Sequence, residues 1–210
     1  MNSYTPEPAP QDSPQPPPGG VCSDLVRRFP NAVGMKVAAE LCAALKPVCE
    51  RLIVAGSLRR RKTTVGDVEI LYIGKTEVRQ DPDDMFASLT VNLADEAIAA
   101  LEKSGVLERR KNVNGSEMYG PKNKLMRHRA SSLPVDLFAA TPENWWNYLV
   151  CRTGPAGSNT RICMAAQDRG WKWNPYGAGF SRDGETRAME SEAEVFAFVG
   201  LPYAQPEERR

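Results

Sequence analysis

The sequence predicts an α+β fold, in which a mixed β-sheet with helices on one side is followed by a small α+β C-terminal subdomain. Two observations support this prediction. Apolar residues recur first at helical spacing and then in short buried runs, in the order helix, strand, strand, helix, strands. After about residue 141, two helical segments precede short polar strands and a last helix.

The composition sets limits on the class of protein. The 210 residues are 41% hydrophobic, which is enough for a core, and the net charge is only +1. Any contact with nucleic acid must therefore come from local basic clusters. The five cysteines show no CxxC spacing and there is one histidine, so neither a disulfide framework nor a zinc site is expected. Without a signal-peptide pattern or an apolar run of transmembrane length, we expect a soluble, intracellular (cytoplasmic) protein with no membrane partner.

The chain divides into a tail and two folded units. Residues 1–22 are predicted to be a disordered Pro-rich tail, because seven of the seventeen prolines lie within the first twenty residues. Residues 23–140 are predicted to form the first unit. Its predicted elements are a helix with apolar residues at helical spacing (Val33, Val37, Leu41, Leu45), the strands RLIVAG and DVEILYIG, the helix LADEAIAALEKSG, a hairpin in VLERRKNVNGSEMYGP that turns at Asn114 and Gly115, and the strand LPVDLFAA.

The second folded unit is predicted to span residues 141–210. Its predicted elements are a helix around PENWWNYLVC, a helix TRICMAAQDRG, short polar strands within WKWNPYGAGFSRDGE and a last helix SEAEVFAFVG. These segments are shorter and more polar than those of the first unit, which indicates a smaller subdomain.

Three carboxylates interrupt the apolar strands. Side chains two residues apart on a strand point to the same face, so Asp67 and Glu69 project together. Asp136 lies inside the apolar run LPVDLF. Carboxylates in such surroundings are costly unless they are paired or bind metal, and hard oxygen ligands suit Mg²⁺ or Mn²⁺. If the two strands are neighbours, the three side chains form a metal site. For Asp67 and Glu69 alone, a salt-bridged strand end is the alternative.

The residues before the first two carboxylates suit an anion. Gly56 allows a ligand to approach the backbone closely, and the Ser57 hydroxyl and nearby backbone N–H groups can bond phosphate oxygens. Arg60 can bind phosphate through two parallel hydrogen bonds. Cations beside a metal cluster fit a polyphosphate, so the pattern predicts nucleotidyl transfer with two metal ions.

The same residues resemble the nucleotidyltransferase superfamily and, more narrowly, the family X DNA polymerases. The resemblance consists of Gly-Ser, an arginine four residues after the glycine, and G-D-x-[DE] ten residues after it. The segment RTGPAGSN is similar to the start of the family's thumb, and AAQDRGWKWNPYG followed by SEAEVFAFVGLPYAQPEER is similar to its C-terminal ending. The resemblance covers about residues 24–210, and it implies a palm over residues 23–140 and a thumb over residues 141–210.

The resemblance implies a role for each matching residue. Asp67, Glu69 and Asp136 match the catalytic, metal-binding carboxylates, which implies two Mg²⁺ ions with Mn²⁺ as a substitute. Asp136 would be the group nearest the primer 3′-hydroxyl. The matches to the nucleotide-binding residues are Gly56, Ser57, Arg60, Gly66, Arg28 (or Arg27 in its place), Gly154 and Asn159.

The chain also departs from the family pattern. Glu69 stands where the family usually has Asp, and its longer arm can shift the metal preference toward Mn²⁺. Cys151 and Arg152 replace an aromatic pair that bears on sugar discrimination. Cys163 stands where a basic residue commonly faces the template strand.

A reduced enzyme is expected from the resemblance, with palm and thumb but no lyase domain or fingers subdomain. Its expected activity is metal-dependent, gap-filling DNA repair synthesis by a monomer, with a dNTP and gapped or primer–template DNA as partners. DNA would be held mainly through phosphate contacts. The candidate DNA-binding residues are those of the basic segment 109–111 together with Lys122, Lys124, Arg127, Arg129 and Arg161.

Two other functions stay open. The first is template-independent nucleotidyl transfer to a DNA or RNA end or to another acceptor, which the residues at Cys151, Arg152 and Cys163 motivate. The second is a catalytically dead nucleic-acid-binding module, against which the intact carboxylate trio argues.

Overall fold

The computed structural model describes residues 27–82, 84–112 and 114–210, so the predicted tail at residues 1–22 lies outside the described residues. The helices are α1 (Asn31–Leu45), α2 (Gly56–Arg59), α3 (Leu93–Lys103), α4 (Trp145–Thr153), α5 (Ala156–Gln167) and α6 (Glu192–Phe198). The strands are β1 (Phe29–Pro30), β2 (Cys49–Val54), β3 (Thr64–Val65), β4 (Val68–Gly74), β5 (Thr76–Gln80), β6 (Ser88–Asn92), β7 (Leu107–Arg109), β8 (Asn123–His128), β9 (Leu133–Ala139), β10 (Lys172–Asn174), β11 (Gly179–Arg182) and β12 (Glu185–Arg187).

The main sheet is mixed, as predicted. Its five strands follow the order β2-β4-β9-β8-β7, and the pair β4–β9 is parallel while the other pairs are antiparallel. A parallel pair requires a long connection, which here contains α3 and the outer strands β7 and β8. This connection brings two strands that are distant in sequence into contact at the centre of the sheet.

Helices α1 and α3 cover one face of the sheet. Leu41 of α1 and Ile98 of α3 are fully buried against Ile70 and Tyr72 of β4 and against Leu137 of β9. Full burial of each such side chain contributes about 1.5–3 kcal/mol. The apolar alternation of the strands therefore fixes which face meets these helices and, by exclusion, which face carries the carboxylates.

Helix α4 covers half of the opposite face. Leu71 and Ile73 of β4 pack there against Trp145 and Leu149 of the helix. The same helix contributes Val150 to a separate C-terminal core. The short helix α2 also contacts β4, and Gly56 at its start lies against Glu69.

The C-terminal part has its own core beneath the sheet β10-β11-β12. Ile162 of α5, Phe180 of β11 and Val195 of α6 are fully buried in it. The predicted helices and short strands are all present, although α5 begins at Ala156, before the predicted segment. The domain division at residue 141 stays a proposal. In the described part of the chain, none of the helices has the length and apolarity of a membrane span.

Two hairpins differ from the prediction. The turn at Gly115 is present, with a bridge between Lys111 and Glu117, but β7 pairs with the later strand β8 instead of across that turn. The β5–β6 hairpin was not predicted, and its strands are largely exposed. Val78, for example, is 70% exposed.

Candidate active site

Glu69 and Asp136 lie side by side at the centre of the sheet. They are register partners on the parallel strands β4 and β9. Asp67 precedes β4 by one residue and shares the parity of Glu69, so all three carboxylates belong to one face. The predicted convergence of these strands is present. The trio lies on the face of the sheet against which α4 packs, opposite α1 and α3.

Burial and mutual repulsion shape the charge of this trio. Burial raises the pKa of Glu69 to about 8, and Asp67 adds to the rise while Arg152 opposes it. Burial also raises the pKa of Asp67, with repulsion from Asp136 adding to it. The pKa of Asp136 is raised by burial as well, against the opposing charge of Arg110. A bound cation would oppose all three rises in pKa, because positive charge favours the ionised carboxylates.

The loop after β2 brings Gly56 against Glu69. The backbone N–H of Ala55 donates to the carbonyl of Glu69 over 2.8 Å, which ties the loop to β4. Gly56 has a φ of +62°, and a Cβ added there would overlap the Glu69 carboxylate. Only glycine satisfies both the left-handed backbone and the close approach.

Ser57 and Arg60 follow Gly56 in this loop, and Arg60 reaches the C-terminal part. The Ser57 hydroxyl is buried and has no hydrogen-bond partner in the described chain, and the same holds for Nε of Arg60. Nη1 of Arg60 donates to the carbonyl of Thr153. Burial lowers the pKa of Arg60, although Glu69 and Asp67 oppose the shift. These unused donors suit an anionic ligand held next to the carboxylates.

The three carboxylates are of the type that binds metal ions, but they do not lie close enough together to form a complete metal site. Within residues 27–82, 84–112 and 114–210, no three His, Cys, Asp or Glu side chains gather closely enough to hold a metal ion. Arg110 binds Asp136, and Glu69 lies against Gly56. Nevertheless the residues fit a hard divalent cation, because the donors are all carboxylate oxygens whose charges repel one another, and the unpartnered Ser57 hydroxyl follows Gly56.

The remaining nucleotide-binding candidates surround the same loop. Arg28 donates to the carbonyl of Thr64 over 2.9 Å and its charge bears on Asp67, whereas Arg27 stacks over the Phe29 ring. Gly66 lies between β3 and Asp67.

Gly154 and Asn159 lie at the α4–α5 junction. Gly154 has a φ of +58°, and a Cβ there would lie 3.3 Å from Nη1 of Arg60. Asn159 donates to the carbonyl of Cys151 over 2.8 Å, and its own Oδ1 is buried and unpartnered within the described residues. The structure therefore brings Gly154 close to Arg60, while the contacts of Asn159 are local to this junction.

Two arginines near the carboxylates were missed by the sequence analysis as site residues. Nη2 of Arg110 donates to Oδ1 of Asp136. Arg152 stacks on three aromatic rings, with its Cζ 3.7 Å from the ring centre of Phe138 and farther from Tyr148 and Tyr176. No local sequence signal marks either contact, since both depend on how the strands and α4 are arranged.

Arg59, to which the sequence analysis gave no role, joins the two parts of the protein. It donates to Glu192 over 2.8 and 2.5 Å and to the Thr153 hydroxyl over 2.6 Å. Arg209 binds the other side of Glu192. Burial alone would raise the pKa of Glu192, but the two arginines hold it below its ordinary value. This buried network fixes the loop at Gly56 to helix α6.

The structure corrects part of the predicted DNA surface. Lys124 is only 2% exposed, and its ammonium lies 2.7 Å from Asp95 of α3, on the face opposite the carboxylates. Arg109 likewise faces α3, where it binds Glu102 over 2.8 Å and stacks on Tyr119. Lys124 is therefore not available to DNA at the site, whereas Arg109 is 44% exposed and stays a proposal for DNA contact.

The other basic candidates stay exposed. Arg127 and Arg129 both bind Glu108, over 3.5 and 3.2 Å. Lys122 and Arg161 are exposed and form no ion pair within the described part of the chain. These four residues remain proposals for DNA contact.

Comparisons with known proteins agree with this architecture. The family model for the DNA polymerase beta thumb matches residues 148–210. No curated protein matches the chain in sequence. One similar solved structure is a ternary P/T complex of Leishmania infantum polymerase beta, with a TM-score of 0.66 and 19% identity over 88% of this chain and 77% of that chain. A ternary gap complex of the same polymerase has a TM-score of 0.67 and 18% identity over 87% and 71% of the respective chains. The predicted resemblance is confirmed: residues 148–210 match the DNA polymerase beta thumb, and the chain shares its fold with polymerase beta structures.

Proposed function

We propose that this family X DNA polymerase-like chain transfers a nucleotide from a dNTP to the 3′-hydroxyl of a DNA primer, as a gap-filling repair polymerase. One observation carries the proposal. Asp67, Glu69 and Asp136 share one face of the sheet, next to the Gly56 loop and the Ser57 hydroxyl, which has no hydrogen-bond partner in the described chain. Three carboxylates beside unused phosphate donors are the parts that nucleotidyl transfer needs.

The triphosphate would be held by the loop that follows β2. The Ser57 hydroxyl can donate to a phosphate oxygen. The Arg60 guanidinium can donate a further hydrogen bond, because its Nε is unpartnered in the described chain. Gly56 keeps the backbone of this loop directly against Glu69. The phosphates would thus lie between the loop and the carboxylates, where positive charge is required.

Asp67, Glu69 and Asp136 would hold two Mg²⁺ ions, with Mn²⁺ as a substitute. When bound, such ions lower the pKa of an attacking hydroxyl and neutralise charge on the leaving pyrophosphate. Asp136 would orient the primer 3′-hydroxyl and accept its hydrogen bond. Glu69 must give up the proton that its raised pKa lets it keep before it can act as a ligand.

DNA would lie beside the carboxylate site and along the C-terminal part. Lys122, Arg127, Arg129 and Arg161 are the exposed cations proposed to bind its phosphates. One solved structure with a similar fold is a ternary gap complex, which supports gapped DNA as the substrate class. Phosphate-dominated binding would make the affinity depend strongly on salt concentration.

Template-independent transfer to a DNA or RNA end is the second candidate, and one observation favours it. Arg152 is engaged by three aromatic rings, so it does not replace the aromatic side chain expected beside the incoming sugar. Cys163 supplies no charge for a template strand.

A gapped-duplex assay separates the two candidates. A labelled primer facing a single-nucleotide gap is offered each dNTP alone, with Mg²⁺ and with Mn²⁺ in parallel. Incorporation of the complementary dNTP only is expected for the gap-filling enzyme. Incorporation that ignores the template base would favour the template-independent enzyme, and no incorporation with either metal would contradict both.

A further inference from the structure

Arg110 reaches from the edge of the sheet to the carboxylate of Asp136. Its backbone N–H donates to the carbonyl of Leu125 over 3.1 Å, which continues the pairing of β7 with β8 by one residue. Its side chain then crosses β8, where Leu125 is the register partner of Asp136. Nη2 of Arg110 donates to Oδ1 of Asp136, and both side chains are less than one-fifth exposed.

The neighbouring arginine shows that this contact is specific to position 110. Arg109 and Arg110 are adjacent, so their side chains leave β7 on opposite faces. Arg109 binds Glu102 and stacks on Tyr119, on the side of α3. Arg110 alone of the two lies on the face of the carboxylates. The pair therefore offers a matched comparison of a site arginine with a structural one.

The contact leaves part of each group unused. Within the described residues, Oδ2 of Asp136 forms no hydrogen bond, and Nε of Arg110 is buried without a partner. A planar guanidinium that grips one carboxylate oxygen restrains the rotation of the whole carboxylate. The second oxygen is then held in a fixed direction, on a strand where Glu69 is the register partner of Asp136.

We propose that Arg110 is a positioning residue, which holds Asp136 by one oxygen so that the other is aimed at a metal ion and the primer hydroxyl. The inference rests on the proposed function of the carboxylates and adds a residue to their support. Arg110 acts through Asp136 and touches neither the nucleotide nor DNA in this role.

Positioning and simple charge make opposite predictions for metal affinity. If Arg110 only contributed positive charge, its removal would strengthen the binding of a cation nearby. If Arg110 positions Asp136, its removal weakens metal binding, because outer partners of ligands typically contribute about 10–100-fold in affinity or activity. The sign of the change therefore decides between the two roles, provided that it is measured at a pH where Asp136 is ionised in both proteins, since the charge of Arg110 also opposes the rise in the pKa of Asp136.

The test is a titration of the full chain with Mn²⁺ alone, followed by electron paramagnetic resonance of free Mn²⁺. Arg110→Ala is expected to weaken Mn²⁺ binding by about 10-fold or more. Arg109→Ala is expected to match the wild type. Arg110→Lys keeps the charge but not the planar fork, and it is expected to fall between wild type and Arg110→Ala. Tighter or unchanged binding by Arg110→Ala would overturn the proposal.

Kinetics on the gapped duplex give an independent readout. Arg110→Ala is expected to lower kcat by about 10–100-fold while KM for dNTP stays within about 3-fold. A rise in KM with unchanged kcat, or a loss of DNA affinity with unchanged Mn²⁺ binding, would contradict positioning. If Arg110→Ala does not fold, Arg110→Lys and Arg110→Gln carry the same comparison.

The two proposals fail in different ways. In one case the wild-type chain binds Mn²⁺, Asp67→Ala does not, and yet the wild type transfers no nucleotide. This result would refute the proposed function, but the role of Arg110 could still be tested by Mn²⁺ affinity. Wild-type chain that transfers nucleotide while Arg110→Ala binds Mn²⁺ normally would refute only the positioning role.

Discussion

Glu69 and Asp136 are direct register partners on parallel strands, although 67 positions separate them in the sequence. The sheet therefore holds the two carboxylates side by side before any ligand is bound. Burial raises the pKa of each, since their charges are poorly solvated at the centre of the sheet. Holding two poorly solvated carboxylates together lowers the free energy of unfolding. A bound cation would restore part of it, which links the fold to its proposed chemistry.

Stability is expected to fall as pH rises from 6 to 8.5 in the presence of a metal chelator. The ordinary pKa of Glu69 is 4.5, and burial raises it to about 8 in the folded chain. Between these values the folded chain keeps a proton that the unfolded chain has lost, so each rise in pH favours unfolding. The expected loss is about 2–3 kcal/mol, measured by urea unfolding. Glu69→Gln is expected to remove most of this slope, and an equal slope in that variant would assign it to other groups.

Gly56→Ala is expected to abolish most of the activity. The new Cβ would displace the Glu69 carboxylate and would also occupy a φ of +62°. Gly115→Ala is the matched control, because Gly115 has a φ of +78° but nothing within 4 Å of an added Cβ. Both variants should lose about 1–2 kcal/mol from backbone strain, but only Gly56→Ala should lose incorporation, by about 100-fold or more. Equal activity in the two variants would remove the proposed role of this close approach.

Glu192→Gln is expected to destabilise the protein by about 3 kcal/mol, because it leaves buried arginines without their counter-ion. Glu192 binds Arg59 at 2.5 Å and Arg209 at 2.9 Å, and the Arg209 side chain is fully buried. Glu207→Gln serves as the control, since its 3.7 Å pair with Arg61 is exposed and should contribute less than about 0.5 kcal/mol. Urea denaturation of both variants measures the difference. A loss below about 1 kcal/mol for Glu192→Gln would show that this network is not a major link between the two parts.

Lys122→Ala and Lys124→Ala are expected to act on different properties. Lys122 is exposed, and its loss should reduce the slope of log affinity for DNA against log salt by about 1. Lys124 is buried against Asp95, so its loss should leave the slope unchanged and cost about 2 kcal/mol of stability. Fluorescence anisotropy over a range of salt concentrations, with unfolding curves, distinguishes them. A salt slope that changes only in Lys124→Ala would reverse the assignment.

The carboxylates could be predicted from the sequence because strand parity is local. Asp67 and Glu69 are two residues apart, and the apolar residues around them identify the buried face. Asp136 required one further assumption, that its strand is a neighbour of β4, and the register confirms that assumption. The residue types of the trio could therefore be predicted from the sequence, whereas its geometry required the structure.

The arginine partners could not be predicted, because they depend on the order of strands that are distant in sequence. Arg110 meets Asp136 only because β8 lies between β7 and β9. The assignment of Lys124 to DNA was wrong for a related reason. Counting the basic residues of β8 ignored that alternate residues face α3, where Asp95 binds this lysine.

The most direct test of the central claim is single-turnover incorporation on a gapped duplex by wild type and Asp67→Ala. Wild type should add the complementary nucleotide only when Mg²⁺ or Mn²⁺ is present. Asp67→Ala should be slower by about 10³-fold, with its unfolding curve showing that the chain still folds. Equal rates for the two proteins, or incorporation by wild type in the presence of a chelator, would contradict the assignment of this carboxylate site.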